Sequence, residues 1–179
     1  MSNKNQIKEL FLNYCSENNL NIKLSYDMPQ GYEKAFGTFD VCKNTLFINI
    51  NYIDSEPKYK IFFYLYHELR HAEQYIHTEN FSRKIKESIN YVVLYDGTCY
   101  KLIDNMWKCC KIDDKDIDFV SIYLNLPYEI DANTFAYNEI VKIFGYSDEI
   151  ENFYKKQLPK TIIPLKQLKI IFNKIDALV

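Results

Sequence analysis

The chain has 179 residues, which is long enough for one domain of ordinary size and too short for two. Hydrophobic residues make up 47% and charged residues 26%, a composition that predicts a globular protein and excludes a disordered chain. The net charge is -2, with acidic and basic residues interspersed, so we expect no direct binding to nucleic acid.

Neither a signal peptide nor a membrane span is predicted. The N-terminus alternates polar and apolar residues, and the longest apolar runs, such as "IFFYLY", are far below the roughly 18 residues that a span needs. The five cysteines are an odd number without CxxC spacing, which favours reduced thiols over disulfides or a four-cysteine zinc site. We therefore expect a cytoplasmic protein that does not contact a membrane.

The first third of the chain predicts one helix followed by three short strands. Apolar residues at helical spacing predict an amphipathic helix over residues 4–17. The segment "LNIKLSY" (20–26) alternates apolar and polar residues, as a half-buried strand does. The segments "AFGTFDV" and "TLFINI" lie on either side of a short polar link, residues 42–44, and predict a hairpin.

Two longer helices are predicted further along the chain. The pattern becomes helical from Lys58 to about His77 and begins with strongly apolar residues, so this helix should be largely buried. A second helix should be capped by Asn125, have Pro127 in its first turn and run to about Phe144 before Gly145. Further helices are predicted to start near Ser147 and Pro164.

Residues 78–126, between the two longer helices, have an ambiguous pattern. We favour helix there, although the Asp96-Gly97 step is also compatible with a hairpin turn. This segment is therefore predicted to be an insert within a single domain that covers residues 1–179. It can form a wall or lid of a cleft, or serve only as scaffold.

The stretch "HELRH" predicts a metal site. His67 and His71 are four positions apart, so on a helix both imidazoles project from one face and can bind one ion. Glu68 projects on the same side and can act as a general base without being a ligand. Zinc bound in this way is commonly used for peptide hydrolysis. His77 projects from a different face and is predicted to be an ordinary surface residue.

A third protein ligand is expected from the second long helix, "LPYEIDANTFAYNEI". Glu129 lies at its start, and Ala132 and Ala136 form a strip of small residues that permits close approach of another helix. Asn133 can reach the same side and hydrogen-bond the remote nitrogen of a ligand histidine. Asp131 is the competing ligand, but it projects about 200° away from Glu129.

Three motifs together, "FGTFDVCKNTLFIN", "HELRH" and "EIDANTFA", resemble the ImmA/IrrE type of metallopeptidase within the gluzincins. The resemblance implies a zincin-like α+β fold, in which a small antiparallel or mixed three-stranded sheet packs against the active-site helix, with further helices. It also implies that His67, His71 and Glu129 bind Zn²⁺ and that Glu68 is the catalytic acid/base. Members of this group often cleave a transcriptional regulator.

The expected function is therefore a zinc-dependent endopeptidase that hydrolyses a peptide bond in a specific intracellular protein, with a separate regulatory protein as one candidate substrate. An extended peptide could add to an exposed sheet edge near "TLFINI" and place its carbonyl over the metal. The donor that stabilises the transition state is left open among Tyr95, Tyr128, Tyr137 and Arg70. Two alternatives remain: a non-cleaving binding or inhibitor protein that keeps the zincin-like fold, and a purely structural zinc site.

Overall fold

The computed structural model describes residues 2–179, in which there are eight α-helices, a short 3-10 helix (Thr78–Asn80) and two three-stranded sheets. The predicted α+β class is confirmed. The helices are α1 Asn3–Glu17, α2 Ile50–Ile53, α3 Lys58–Ile76, α4 Arg83–Ser88, α5 Phe119–Leu124, α6 Pro127–Phe144, α7 Asp148–Lys155 and α8 Leu165–Asp176. The strands are β1 Lys23–Ser25, β2 Gly37–Asp40, β3 Thr45–Ile48, β4 Tyr91–Val93, β5 Thr98–Ile103 and β6 Met106–Lys111.

The first sheet is mixed and packs against α3. Its strand order is β1-β3-β2, with β1 parallel and β2 antiparallel to β3. The prediction of an exposed edge near "TLFINI" is therefore wrong, because β3 is the central strand and is paired on both sides. Its residues Leu46, Phe47 and Ile48 are buried. The edge strand beside α3 is β2.

The backbone of β2 presents hydrogen-bonding groups to its free edge. The Asn49 amide donates to the Phe36 carbonyl, so Phe36 directs its backbone groups toward β3. Along an antiparallel pair of strands, residues that bond to the partner strand alternate with residues that do not. Thr38 therefore directs its N–H and C=O groups toward β3, whereas Gly37 and Phe39 direct theirs outward. An extended segment lying along this edge can pair with those groups.

The two long helices form as predicted and pack against each other. Helix α3 begins at Lys58 and ends one residue before the predicted His77. Helix α6 ends at Phe144, as predicted, and is followed by Gly145, whose φ of 78° is a conformation that glycine adopts without strain. The cap was assigned wrongly: Leu126 occupies that position, and the Asn125 side chain instead binds the Thr161 carbonyl and the Ile163 amide.

The two last helices also begin where the sequence indicates. The Ser147 hydroxyl accepts a hydrogen bond from the Ile150 amide at the start of α7. Helix α8 follows Pro164 directly, and the fixed φ of proline suits that position.

The preference for helix across residues 78–126 is wrong for most of that segment. It contains α4 and α5, but its centre is the antiparallel sheet β4-β5-β6. Strands β5 and β6 are joined by Asp104 and Asn105, which both have positive φ, 49° and 59°. Two such residues make the tight turn that matches strand twist. The Asp96-Gly97 step lies in the turn between β4 and β5, with Gly97 at a φ of 81°, so the hairpin alternative for that step is confirmed.

The buried apolar residues form two clusters that share the α3–α6 pair. One cluster contains α1, the first sheet and most of α3, and the other contains the second sheet, α4, α5 and α8. Tyr75 near the end of α3 and Tyr128 at the start of α6 belong to the second cluster. Within residues 2–179, none of the helices has the length and apolar character that crossing a bilayer requires.

Candidate metal centre

Helix α3 places its two histidine rings side by side in the interior. The Nε2 atoms of His67 and His71 are 2.9 Å apart, and their ring centroids are 4.4 Å apart. Both residues are buried. The four-residue spacing therefore has the effect predicted for it, because it directs two imidazole nitrogens to one point.

Helix α6 brings a carboxylate to the same point. The oxygens of Glu129 lie 3.4 Å from His67 Nε2 and 3.6 Å from His71 Nε2. The close approach depends on small residues, since Ala132 and Ala136 of α6 are completely buried. His67, His71 and Glu129 thus form a buried group that could bind a metal ion.

The polar atoms of this group are incompletely satisfied by protein. Glu129 Oε2 and His67 Nδ1 are buried, and neither has a hydrogen-bond partner among residues 2–179. A buried carboxylate oxygen without a donor is costly, and a cation between it and the two Nε2 atoms would remove that cost. The donor set, two imidazoles and one carboxylate, suits a transition metal.

Burial and the charges within the group shift the pKa of each member. Burial, with the neighbouring His71, lowers the pKa of His67 to about 4. Burial also acts to lower the pKa of His71, but the charge and hydrogen bond of Glu129 outweigh it and raise that pKa. Burial alone would raise the pKa of Glu129, yet His71 dominates and lowers it, with a smaller contribution from Tyr123. Glu129 is therefore held as a carboxylate, the form that binds a cation.

Glu68 lies in the same cleft but is not one of the converging ligands. It is 7% exposed, and burial raises its pKa to about 7, against the opposing effects of His71 and the Phe39 amide. A carboxyl group with a pKa near neutrality can both accept and return a proton. Its position beside the ligands and its pKa suit an acid/base group.

Gly37 on β2 allows the strand to approach Glu68 closely. A methyl group at this position would lie 3.0 Å from Glu68 Cγ and from the Phe47 carbonyl oxygen, and 3.1 Å from Ile48 Cδ1. The sequence motif contains this glycine, but its spacing alone does not reveal the contact. The absence of a side chain therefore fixes the distance between the sheet edge and Glu68.

We expect Gly37→Ala to lower the free energy of unfolding by about 1–3 kcal/mol, because the added methyl overpacks this contact. Chemical denaturation measures the change. The control is Thr38→Ala, at the next position of β2 and on its opposite face, which should lose less than about 1 kcal/mol. Equal effects at the two positions would contradict the close-contact explanation.

Gln74 fixes the orientation of the His71 ring through a hydrogen bond to Nδ1, the ring nitrogen that does not face the metal group. Its Oε1 atom is 2.9 Å from His71 Nδ1, while its amide nitrogen donates to the Tyr128 carbonyl and to Asp131, each at 2.9 Å. Both amide hydrogens are thereby used, so the oxygen must face the ring and accept from Nδ1–H. That tautomer leaves the lone pair of Nε2 free for a metal.

Asp131, the competing ligand, belongs to this supporting network rather than to the metal group. Its carboxylate pairs with the Arg70 guanidinium at 2.8 Å and accepts from Gln74. Arg70 also pairs with Glu73 at 2.7 Å. The Arg70–Asp131 pair therefore joins α3 to α6 just outside the ligands.

We expect Gln74→Leu to weaken metal binding by about 10–100-fold, the usual effect of losing a hydrogen bond to a ligand histidine. Competition with a chromophoric chelator measures the dissociation constant. The control is Gln6→Leu, the same change on α1, which should leave metal affinity unchanged. An unaltered dissociation constant in Gln74→Leu would show that His71 does not need this support.

Asn133 is buried in the site, but its predicted hydrogen bond to a ligand histidine stays a prediction. Its amide donates to the Gln157 carbonyl at 3.0 Å. Its side chain is close enough to His67 to favour the protonated ring, but it does not reach hydrogen-bond geometry with Nδ1. His77 lies away from the metal group, and its Nε2 is 3.1 Å from the Asn18 carbonyl oxygen.

Three of the four donors considered from the sequence are occupied elsewhere. Arg70 is held by its two carboxylates, Tyr128 donates to the Tyr91 carbonyl, and Tyr137 donates to Glu151. Tyr95 lines the cleft and lies edge-on to Tyr123, with ring centroids 4.9 Å apart. Tyr123 was missed because it comes from the ambiguous segment 78–126, although its ring lines the cleft beside Glu129.

Comparison with known proteins assigns no family to the chain. No family model, no curated protein and no solved structure matches it. What is established is the α+β fold and a buried His67–His71–Glu129 group that could bind a metal ion.

Proposed function

We propose that this protein is a zinc-dependent endopeptidase of the ImmA/IrrE type. The observation that carries the proposal is the position of Glu68, a buried carboxyl group beside the His67–His71–Glu129 group in an open cleft. A protein that only binds a partner, or that holds a purely structural metal, does not require a carboxyl group at this position. A base next to a metal group is what hydrolysis needs.

Zinc is the proposed metal because the ligand spacing suits it. A tetrahedral site with zinc–nitrogen bonds of about 2.05 Å needs about 3.3 Å between ligand atoms. The two Nε2 atoms are 2.9 Å apart, and Glu129 approaches His67 Nε2 with Oε2 at 3.4 Å and His71 Nε2 with Oε1 at 3.6 Å, all near that value. Three protein ligands leave one coordination position for water or substrate, which argues against a purely structural site.

In the proposed reaction, water is the nucleophile and Glu68 moves the protons. When bound, zinc acidifies water and polarises the carbonyl of the peptide bond. The Glu68 carboxylate takes a proton from the water while the water oxygen forms a bond to the carbonyl carbon. It then gives that proton to the amide nitrogen as the carbon–nitrogen bond breaks, so that the products are a carboxylic acid and an amine.

The substrate segment is proposed to lie along β2. The Gly37 backbone and the Phe39 carbonyl face outward, the Phe39 amide lies beside the Glu68 carboxyl group, and Gly37 leaves no room for a side chain between β2 and Glu68. An extended peptide paired with that edge would have its own backbone next to the acid/base group. Tyr95 and Tyr123, which line the same cleft, are the candidate donors to the negative charge that develops on the carbonyl oxygen.

The family proposal rests on the combination of "HELRH" with "EIDANTFA" and the strand pair before them. It is supported by the way α3 and α6 bring these motifs together. The proposed substrate is a specific protein in the cytoplasm, with a separate regulatory protein as the leading candidate.

The proposal is tested by sequencing new protein N-termini in host extract. Purified protein loaded with zinc is incubated with extract, and a sample stripped of metal by a chelator is treated in parallel. New N-termini confined to the zinc-loaded sample support an endopeptidase. If no new N-termini form, and a host protein instead co-purifies with the zinc-loaded chain, the protein is a non-cleaving binder and the proposal fails.

A further inference from the structure

The cleft beside the metal group is large and strongly aromatic. Its volume is about 550 Å³, and ten of its 22 lining residues are Phe, Tyr or Trp. Aromatic residues make up only 16% of the chain, so they are concentrated here. A cleft of this size can hold several residues of an extended segment.

Three of the rings that line this cleft contact one another. Tyr75 lies between Phe39 of β2, with ring centroids 6.2 Å apart, and Trp107 of β6, with ring centroids 6.5 Å apart. The Tyr75 hydroxyl donates to the Ile89 carbonyl at 2.7 Å, which fixes its ring. Tyr100 also lines the cleft and shares a sheet face with Trp107. We call Phe39, Tyr75, Tyr100 and Trp107 the aromatic subsite.

The aromatic subsite is close to the proposed point of hydrolysis. Tyr75 is one helical turn beyond His71 on α3, a rise of about 6 Å. Successive Cα atoms of a peptide are about 3.8 Å apart. A side chain that enters the subsite would therefore belong to a residue within two positions of the bond that is cut.

The lining of the aromatic subsite disfavours acidic side chains. Among its lining residues, Glu68 and Glu129 are the carboxylates, and none is a lysine or an arginine. An aspartate side chain placed against these rings would lose water and find no lysine or arginine beside it. An uncharged ring instead gains apolar contact and edge-to-face packing.

We propose that the aromatic subsite binds an aromatic side chain of an extended protein segment, within two residues of the cleaved bond, and rejects acidic side chains. This specificity rests on the proposed function. The second sheet is then a substrate wall, since Tyr100 and Trp107 come from β5 and β6. Segment 78–126 thereby supplies specificity rather than scaffold alone.

The test is peptide binding to zinc-loaded Glu68→Gln protein, which separates recognition from cleavage. Fluorescein-labelled eight-residue peptides of alanine and serine carry one Phe or one Asp, placed at each position in turn. Anisotropy gives the dissociation constants. Trp107 is the only tryptophan of the chain, so its emission in unlabelled titrations reports whether the ring occupies the subsite.

At one or two positions we expect Phe to bind at least about tenfold more tightly than Asp and to change Trp107 emission. Trp107→Leu and Tyr75→Leu should each reduce this preference to less than about threefold. The control is Tyr146→Leu, which changes an exposed aromatic residue outside the cleft and should leave the preference intact.

Equal binding of Phe and Asp peptides at every position, or no binding by any peptide, overturns the subsite. A Phe preference that survives both Trp107→Leu and Tyr75→Leu also overturns it. The proposed function fails separately: if zinc-loaded wild-type protein binds the preferred Phe peptide but leaves it uncut, the subsite stands and the hydrolase does not.

Discussion

Replacing Glu68 with glutamine will lower kcat for peptide hydrolysis by about 10²–10⁴-fold, while the protein keeps its zinc. The amide has nearly the same shape as the carboxyl group but cannot take a proton from water. The three converging ligands, His67, His71 and Glu129, remain in place. The substrate is a peptide that spans a cleavage site identified by N-terminal sequencing. Initial rates of its hydrolysis give kcat, and elemental analysis of the same protein sample gives the zinc content.

A matched control is available on the same part of the chain. Glu79 is an exposed glutamate just after α3, and Glu79→Gln should keep wild-type kcat and zinc content. Full activity in Glu68→Gln would reject the proton transfer assigned to this residue. Loss of both zinc and activity would show instead that Glu68 supports the metal site.

Saturating zinc will raise the melting temperature of the wild-type protein by about 8–16 °C at a free concentration 1,000 times the dissociation constant. Binding to the folded state alone contributes about 4 kcal/mol at that ratio, and each kcal/mol shifts the melting temperature of a chain of this size by about 2–4 °C. Differential scanning calorimetry with and without zinc measures the shift.

The rise in melting temperature should require the three proposed ligands, and it should not require the remaining histidine, His77. His67→Ala and Glu129→Gln should each abolish most of it, because two ligands bind the ion much less tightly than three. His77→Ala should show the full wild-type shift, since His77 is directed at the Asn18 carbonyl. A shift that persists in His67→Ala would place the ion elsewhere in the chain.

The two long helices and their site residues could be predicted because each depends on local pattern. Helical spacing alone places His67 and His71 on one face, and it separates Glu129 from Asp131. Gly145 and Ser147 mark helix ends through their own backbone and side-chain chemistry. These signals are read within a few residues of the chain.

What the sequence could not provide depends on contacts between distant residues. Strand β3 becomes central only because β1 pairs with it in parallel, and no local pattern specifies that partner. The second sheet has two turns, and the sequence indicated only one of them: Asp96-Gly97 joins β4 to β5, as the hairpin alternative anticipated, whereas the Asp104-Asn105 turn between β5 and β6 contains no glycine to mark it. Gln74 lies one turn beyond His71, as helical spacing permits, but its amide orientation is set by Tyr128 and Asp131 on another helix.

The shortness of β2 restricts which chains can use its free edge. The strand has four residues, and only Gly37 and Phe39 direct backbone groups outward. So few unpaired groups give little template for self-association, which protects the protein from edge-to-edge aggregation. For the same reason, backbone pairing alone would retain an arbitrary unfolded chain only briefly, and stable capture would require side chains that fit the adjoining walls.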